Sequence, residues 1–199
     1  MDVKSKDRKT DGDAYQRILS TACDLFYRQG YRATGINEII DKSGVAKATF
    51  YANFPSKEDL ALAYMQTMNE KEAREVSVGL EKYSGPYEKL LGLLEWSIDW
   101  SKERDFRGCA YLNISSEVPD HEHPVRQESK GHYRTLRVVI GRLMKELKAK
   151  RGAAWKDRDP EKLADDFTLI FAGALAMSQV YHDASPFREA LGAARRLLA

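Results

Sequence analysis

Apolar positions recur along the chain every three to four residues, and strand-like alternation is almost absent. The pattern predicts an all-α protein of about nine helices. In the first amphipathic stretch Tyr15, Ile18, Leu19, Ala22, Leu25, Phe26 and Gln29 share one face, while Arg17, Asp24 and Arg28 point away. A charged segment, residues 1–13, precedes it as a tail. Gly30 supplies the left-handed residue that commonly closes a helix. Two short helical segments follow, Thr34 to Ser43 and Val45 to Asn53, joined at Gly44. A long helix then begins at Ser56, a good cap with Glu58 and Asp59 in the dipole-matched first turn, and runs to about Lys82.

Ser84-Gly85-Pro86 breaks the pattern and opens a helix striped with Tyr87, Leu90, Leu91, Leu94 and Ile98. Arg107-Gly108 ends it, Cys109 to Glu117 reads as a short helix, and Pro124 opens another long one reaching about Lys150. Residues 152–159 read as a linker. From Asp159-Pro160 the next helix is apolar on nearly all sides, so it has to be buried from two directions. A last helix starts at Ser185-Pro186. The simplest reading makes these two helices a two-fold subunit interface, with Phe167, Phe171, Ala174, Leu175, Ser178, Tyr181, Leu191, Ala194 and Leu198 as its candidate residues. The alternative is that both helices close the protomer's own core.

Composition narrows the class. With 199 residues, 43% hydrophobic and 31% charged, the chain has length and apolar content for one large domain or two small ones. A net charge of +2 excludes bulk polyanion binding, so any nucleic-acid site is local. Residues 1–56 hold nine Lys and Arg against seven Asp and Glu, and the remainder balances. Cys23 and Cys109 make neither a disulfide scaffold nor a zinc framework and are expected to be reduced. The amino terminus is no signal peptide. The longest uncharged run, Phe167 to His182, is 16 residues and short of a bilayer span. A soluble, cytoplasmic protein with no membrane partner is expected.

The segment TGINEIIDKSGVAKATFYAN, residues 34–53, carries the chemistry. Ile36, Ile39 and Ile40 give its first helix an inner face, and Val45 and Phe50 do so for the second. Gly44 permits a positive φ and hence a sharp turn between them. This is a helix-turn-helix arrangement, whose second helix is free to enter a major groove. Small Ala48 lets backbone approach bases, Thr49 can bond to a base edge, and Lys47, Tyr51 and Lys57 reach toward phosphates. The amide start of the first helix, Gly35 to Asn37, suits a phosphate as well. The DNA-contacting candidates are Thr34, Gly35, Lys47, Ala48, Thr49, Tyr51, Asn53 and Lys57.

These residues carry a resemblance. GYRATGINEIIDKSGVAKATFYANFPSKEDL, Gly30 to Leu60, resembles the amino-terminal region of the tetracycline-repressor (TetR) family through Phe26, Gly30, Thr34, Ile39, Gly44-Val45, Lys47, Tyr51, Phe54 and Ser56 to Leu60. FRGCAYLNISSE, Phe106 to Glu117, looks like a segment of the regulatory domain in one subgroup. Three positions depart. Ala46 stands where the family has Ser, and losing that cap costs the helix ~0.5–2 kcal/mol. Ala48 replaces Gly, and Asn53 replaces His. The resemblance implies a three-helix head over residues 14–55 and a larger effector-binding and dimerisation domain over 56–199. It also implies a homodimeric repressor of a palindromic DNA operator, released by a small-molecule effector, with the helix after Ser56 as the lever.

Trp96, Trp100, Phe106, Tyr111, Asn113, His132, Phe171 and Met177 are candidates for an aromatic effector pocket with few polar groups. Asp120, His121, Glu122 and His123 have a metal-like composition, but adjacent turn residues seldom converge on one ion. They read as a solvated loop capping the helix at Pro124. No metal, cofactor or enzymatic activity is expected, since the chain has no nucleophile elbow, phosphate loop or dinucleotide fingerprint. A helical protein–protein adaptor using residues 160–199, and an enzyme with an unrecognised helical site, are the other readings.

Overall fold

A computed structural model describes the backbone of residues 4–199, with side chains from Gly12 onward. Among the described residues there are nine α-helices and no strand. They are α1 Lys4–Gln29, α2 Ile36–Ser43, α3 Lys47–Asn53, α4 Lys57–Leu80, α5 Pro86–Glu103, α6 Ala110–Glu117, α7 Pro124–Arg151, α8 Pro160–Tyr181 and α9 Ser185–Leu198. The all-helical expectation holds. The charged tail expected over residues 1–13 lies partly outside the described residues, and from Lys4 onward its backbone is already helical.

The chain divides into two compact units. One holds the residues up to Glu70 together with Asn113–Ser129, and the other holds Lys71–Leu112 and Lys130–Ala199. In the first, α2 and α3 pack on α1 around the buried side chains of Ile18, Ala22, Ile39 and Phe50. Tyr15 stacks on Phe54 with ring centroids 4.8 Å apart, and Phe26 meets Tyr64 edge-on at 5.6 Å. Ser56 caps α4 as expected, its Oγ accepting the Asp59 N–H at 3.0 Å.

In the second unit α8 and α5 both pack on α9, burying Leu90, Leu94, Phe167, Phe187, Ala194 and Leu198. Asp159 caps α8 by accepting the Glu161 N–H at 2.9 Å. The expected linker after α7 is more ordered than its composition suggests. Gly152–Trp155 forms a 3₁₀ turn that buries Trp155, and the guanidinium of Arg158 lies 5.1 Å from that ring. Among the described residues α8 alone is long and apolar enough to cross a membrane by length and composition. One of its apolar stripes is covered by the protein itself.

Candidate nucleic-acid interface

Gly44 makes the turn between α2 and α3. Its φ of 65° and ψ of 34° are left-handed, and its N–H donates to the Ile40 and Asp41 carbonyls at 3.1 and 3.3 Å. Arg17 locks this turn from α1: Nη1 donates to the carbonyls of Ser43 and Gly44 at 3.3 and 3.4 Å. Arg17 is exposed, as the sequence pattern predicts, and its guanidinium also reaches across 26 positions to this turn, which no local periodicity encodes. In α3 Phe50 is the one fully buried side chain. Lys47, Ala48 and Ala52 are exposed, Tyr51 is 42% exposed, and α3 contains no acidic residue. As its sequence foretold, Ala46 at the N-cap supplies no side-chain hydrogen bond.

The other candidates differ in availability. Gly35 is exposed and forms the N-cap of α2. Thr49 and Asn53 are half-buried, and the Asn53 amide donates to the Thr49 carbonyl at 2.9 Å. Thr34 is a correction. It is 0% exposed, and its hydroxyl donates to the Gly30 carbonyl at 2.7 Å, so it shapes the turn before α2 and presents no side chain to DNA. Lys57 is held in place, its Nζ 4.7 Å above the Tyr31 ring and 3.5 Å from the Arg32 carbonyl. Burial pulls its ammonium below the usual lysine range, against the opposing field of Glu117. Glu38 on α2 is neutralised by Lys42 at 2.8 Å, with Gln29 at 3.1 Å, and these bonds hold its carboxyl below the usual range.

Sequence reasoning missed Glu117, the last residue of α6. Its Oε2 accepts the Arg32 N–H at 2.6 Å and so fastens the turn between α1 and α2. Gly30 makes room: its φ is +100°, and a Cβ there would stand 2.6 Å from Glu117 Oε1. Gly30→Ala is therefore expected to destabilise the protein by about 2 kcal/mol, combining positive-φ strain with displacement of the carboxylate. Urea denaturation measures this, and an unchanged midpoint would count against the clamp. The loop before α7 also has a role. His123 Nδ1 accepts the Val125 N–H at 3.3 Å, and its Nε2 lies 2.9 Å from Glu58.

Residues 18–64 match the family described as Bacterial regulatory proteins, tetR family. Residues 86–194, more than half of the chain, match the Tetracyclin repressor-like, C-terminal domain. The chain belongs to the TetR family. LmrA, an HTH-type transcriptional regulator from Bacillus subtilis, is 34% identical over 118 residues, which cover 58% of this chain and 63% of LmrA. YxaF, an uncharacterized HTH-type transcriptional regulator from the same organism, is 24% identical over 88% of this chain and 90% of its own length. A TetR-family transcriptional regulator from Streptomyces coelicolor shares the fold at a TM-score of 0.83, with 24% identity over 94% of this chain and 95% of its own. The reduced form of NemR from Escherichia coli does so at 0.79, with 18% identity over 94% and 98%.

The candidates for an aromatic effector pocket have the following surroundings. Trp96 and Trp100 pair at 6.0 Å, and Trp100 Nε1 donates to Glu75 at 3.1 Å. Tyr111 stacks on His132, while Phe106 meets His182 edge-on at 5.6 Å. Asn113 belongs to the first unit. Phe171 is buried, whereas Met177 is exposed and does not line an interior.

The TetR-type subunit interface needs the larger correction. Phe167, Phe171, Ala174, Leu175 and Ser178 on α8, and Leu191, Ala194 and Leu198 on α9, are all buried within one protomer. They close its own core, the alternative the sequence had left open. The reason is that α8 has two apolar stripes, and the aromatic one turns toward α9. The other stripe stays outside: Leu169 is 72% exposed, Val180 70%, and Met177 and Tyr181 lie on it too. Of the expected interface residues only Tyr181 faces outward. On α7, Val138 and Val139 are exposed, and Arg137 ties that helix to the start of α8 through Glu161 at 3.0 Å and through Asp165.

Proposed function

We propose that the protein is a dimeric, ligand-responsive DNA-binding transcriptional regulator, a repressor that reads a palindromic operator in the cytoplasm with one α3 helix per half-site. The observation that carries this is α3 itself. It commits Phe50 to the core and presents Lys47, Ala48 and Tyr51 outward on a helix free of negative charge. A core-closing hairpin has no use for such a face. Lys47 and Tyr51, four residues apart, lie on one side, where a cation and a phenol address phosphates beside a small residue that admits the bases. Gly35 and the amides after it offer a further phosphate contact at the start of α2.

Two copies are needed because a half-site contact this small binds weakly alone. Two recognition helices about 34–36 Å apart enter successive major grooves. The occupant proposed for the outer stripe of α8 is a second copy of the same chain. Two-fold pairing sets Leu169, Val180 and Tyr181 against their own counterparts and removes an apolar patch that a lone protomer would leave in water. An effector bound in the larger unit releases DNA only to the extent that it prefers the conformation with the wrong head spacing. Helix α4, whose residues belong to both units, is the proposed lever.

In vitro selection of bound duplexes tests this reading and should return an inverted repeat. Tyr51→Ala and Lys47→Ala are each expected to weaken operator binding about tenfold while leaving the circular dichroism spectrum unchanged. Lys47→Ala should also flatten the salt dependence by about one unit in the log–log slope. Gel-shift affinities equal to wild type in both variants would sink the recognition-helix assignment.

A further inference from the structure

Inside the larger unit lies a group of polar side chains that DNA binding does not use. Glu72 on α4 is half-buried as a residue, yet its Oε1 is inside the protein and has no hydrogen-bond partner among the described residues. Two cations are close by, and both are committed to its neighbour Glu75. Arg104 Nη2 lies 2.9 and 2.8 Å from the two Glu75 oxygens while its guanidinium stacks 4.5 Å from the Trp100 ring centroid. Lys71 stands 4.0 Å from the same carboxylate. Glu75 takes their close contacts, and Arg104 and Lys71 reach Glu72 through their field alone, leaving its Oε1 without a donor.

Cys109 and Tyr133 lie within electrostatic range of Glu72, and the Tyr133 hydroxyl donates to Cys109 Sγ at 3.5 Å. Next to them Tyr111 and His132 stack with centroids 3.7 Å apart and planes 8° from parallel, and His132 meets Tyr133 edge-on at 5.3 Å. Burial keeps these neighbours neutral. It pushes the Cys109 thiol up to about 11, lifts the Tyr133 phenol well above its ordinary value, and holds His132 down at about 4. Burial also raises the Glu72 carboxyl to about 7, with Arg104 and Lys71 opposing and Glu75 reinforcing. In this group Glu72 alone changes charge near neutrality. A buried acceptor left without a donor is uncommon in proteins, because its desolvation goes uncompensated.

The geometry points to Glu72 as the anchor of the effector site, with Tyr133 and the Tyr111–His132 stack as its aromatic wall, and to an aryl-alkyl ammonium as the ligand class. An amine brings the missing N–H donor and a positive charge in direct contact with the carboxylate, and its ring has aromatic surface to lie against. An anionic ligand would meet like charge. The inference rests on the larger unit being an effector domain. It adds a sign for pH: the ammonium binds the carboxylate form, so below about pH 7 a proton must leave first. Affinity therefore falls as pH drops through that range and levels off above it.

Calorimetry on the full-length protein tests it with 2-phenylethylammonium, 2-phenylethanol and phenylacetate as probes. The ammonium is expected to bind at least about tenfold more tightly than the alcohol, and phenylacetate more weakly than either. Ammonium affinity should rise about tenfold between about pH 6 and about pH 8, with proton release at the lower pH. Glu72→Gln should abolish both the preference for the ammonium and the pH slope, while leaving the circular dichroism spectrum and the ligand-free affinity for a selected operator unchanged. Equal affinities for ammonium and alcohol, a Gln variant that keeps the preference and slope, or no saturable ammonium binding up to about 10 mM each overturn the site. A protein that binds a selected operator but not the ammonium overturns the Glu72 assignment alone. Ammonium binding with no affinity for any duplex overturns the regulator reading alone.

Discussion

Replacing Leu169 and Val180 together by Asp is expected to yield a folded monomer that has lost most of its operator affinity. Both side chains are about as exposed as on an isolated helix, at 72% and 70%, so little packing inside the protomer is removed. In a two-fold interface each substitution appears twice, and four carboxylates would have to be desolvated against one another. The penalty is several kcal/mol per buried ion, enough to dissociate a typical dimer. Once the second head is no longer tethered, the operator loses one half-site contact and the advantage of effective concentration. Affinity should drop by about 100-fold or more. Light scattering after size exclusion reads the mass, circular dichroism the fold, and gel shift the DNA. A dimer that persists at wild-type strength would place the interface elsewhere.

Two residues along the same helix, Phe171→Asp should give the opposite result. Phe171 is buried on the stripe that meets α9, where a carboxylate finds no partner and the lost ring leaves a cavity. Truncating a buried Phe alone removes about 3–5 kcal/mol, and burying an unpaired charge adds to it. The sum approaches or exceeds the ~5–15 kcal/mol that holds a domain folded. The variant is expected to lose its cooperative thermal transition and to accumulate as insoluble protein. A soluble, cooperatively unfolding monomer would instead show that the aromatic stripe faces a partner subunit. The pair of variants thus reports which side of α8 is inside.

That side was the part of the fold the sequence left undecided. Helix positions were readable because apolar periodicity, Gly44, Ser56 and Asp159 are local signals, and the structure places elements close to where those signals put them. The outward residues of α3 were readable for the same reason, since a helix whose one large, wholly apolar side chain is Phe50 can turn only one way. In α8 two stripes are apolar, so periodicity offers two solutions, and the choice depends on α9, whose complementary face is fixed only in three dimensions. Contacts over long separations were equally invisible: Arg17 to the α2–α3 turn, Glu117 to Arg32, and Arg104 to Glu75. Thr34 misled because a turn hydroxyl beside a helix start looks alike whether it bonds to its own backbone or waits for a phosphate. Glu72 gave no signal either, because an acidic residue in a polar stretch of α4 reads as solvated.

The seven-residue α3 has consequences for how such a protein changes its target. Its foothold is one phenyl ring, and its remaining outward positions contribute little to folding. A lineage could therefore rewrite the letters at 47, 48 and 51 and acquire a new promoter address while the scaffold beneath stays as it was.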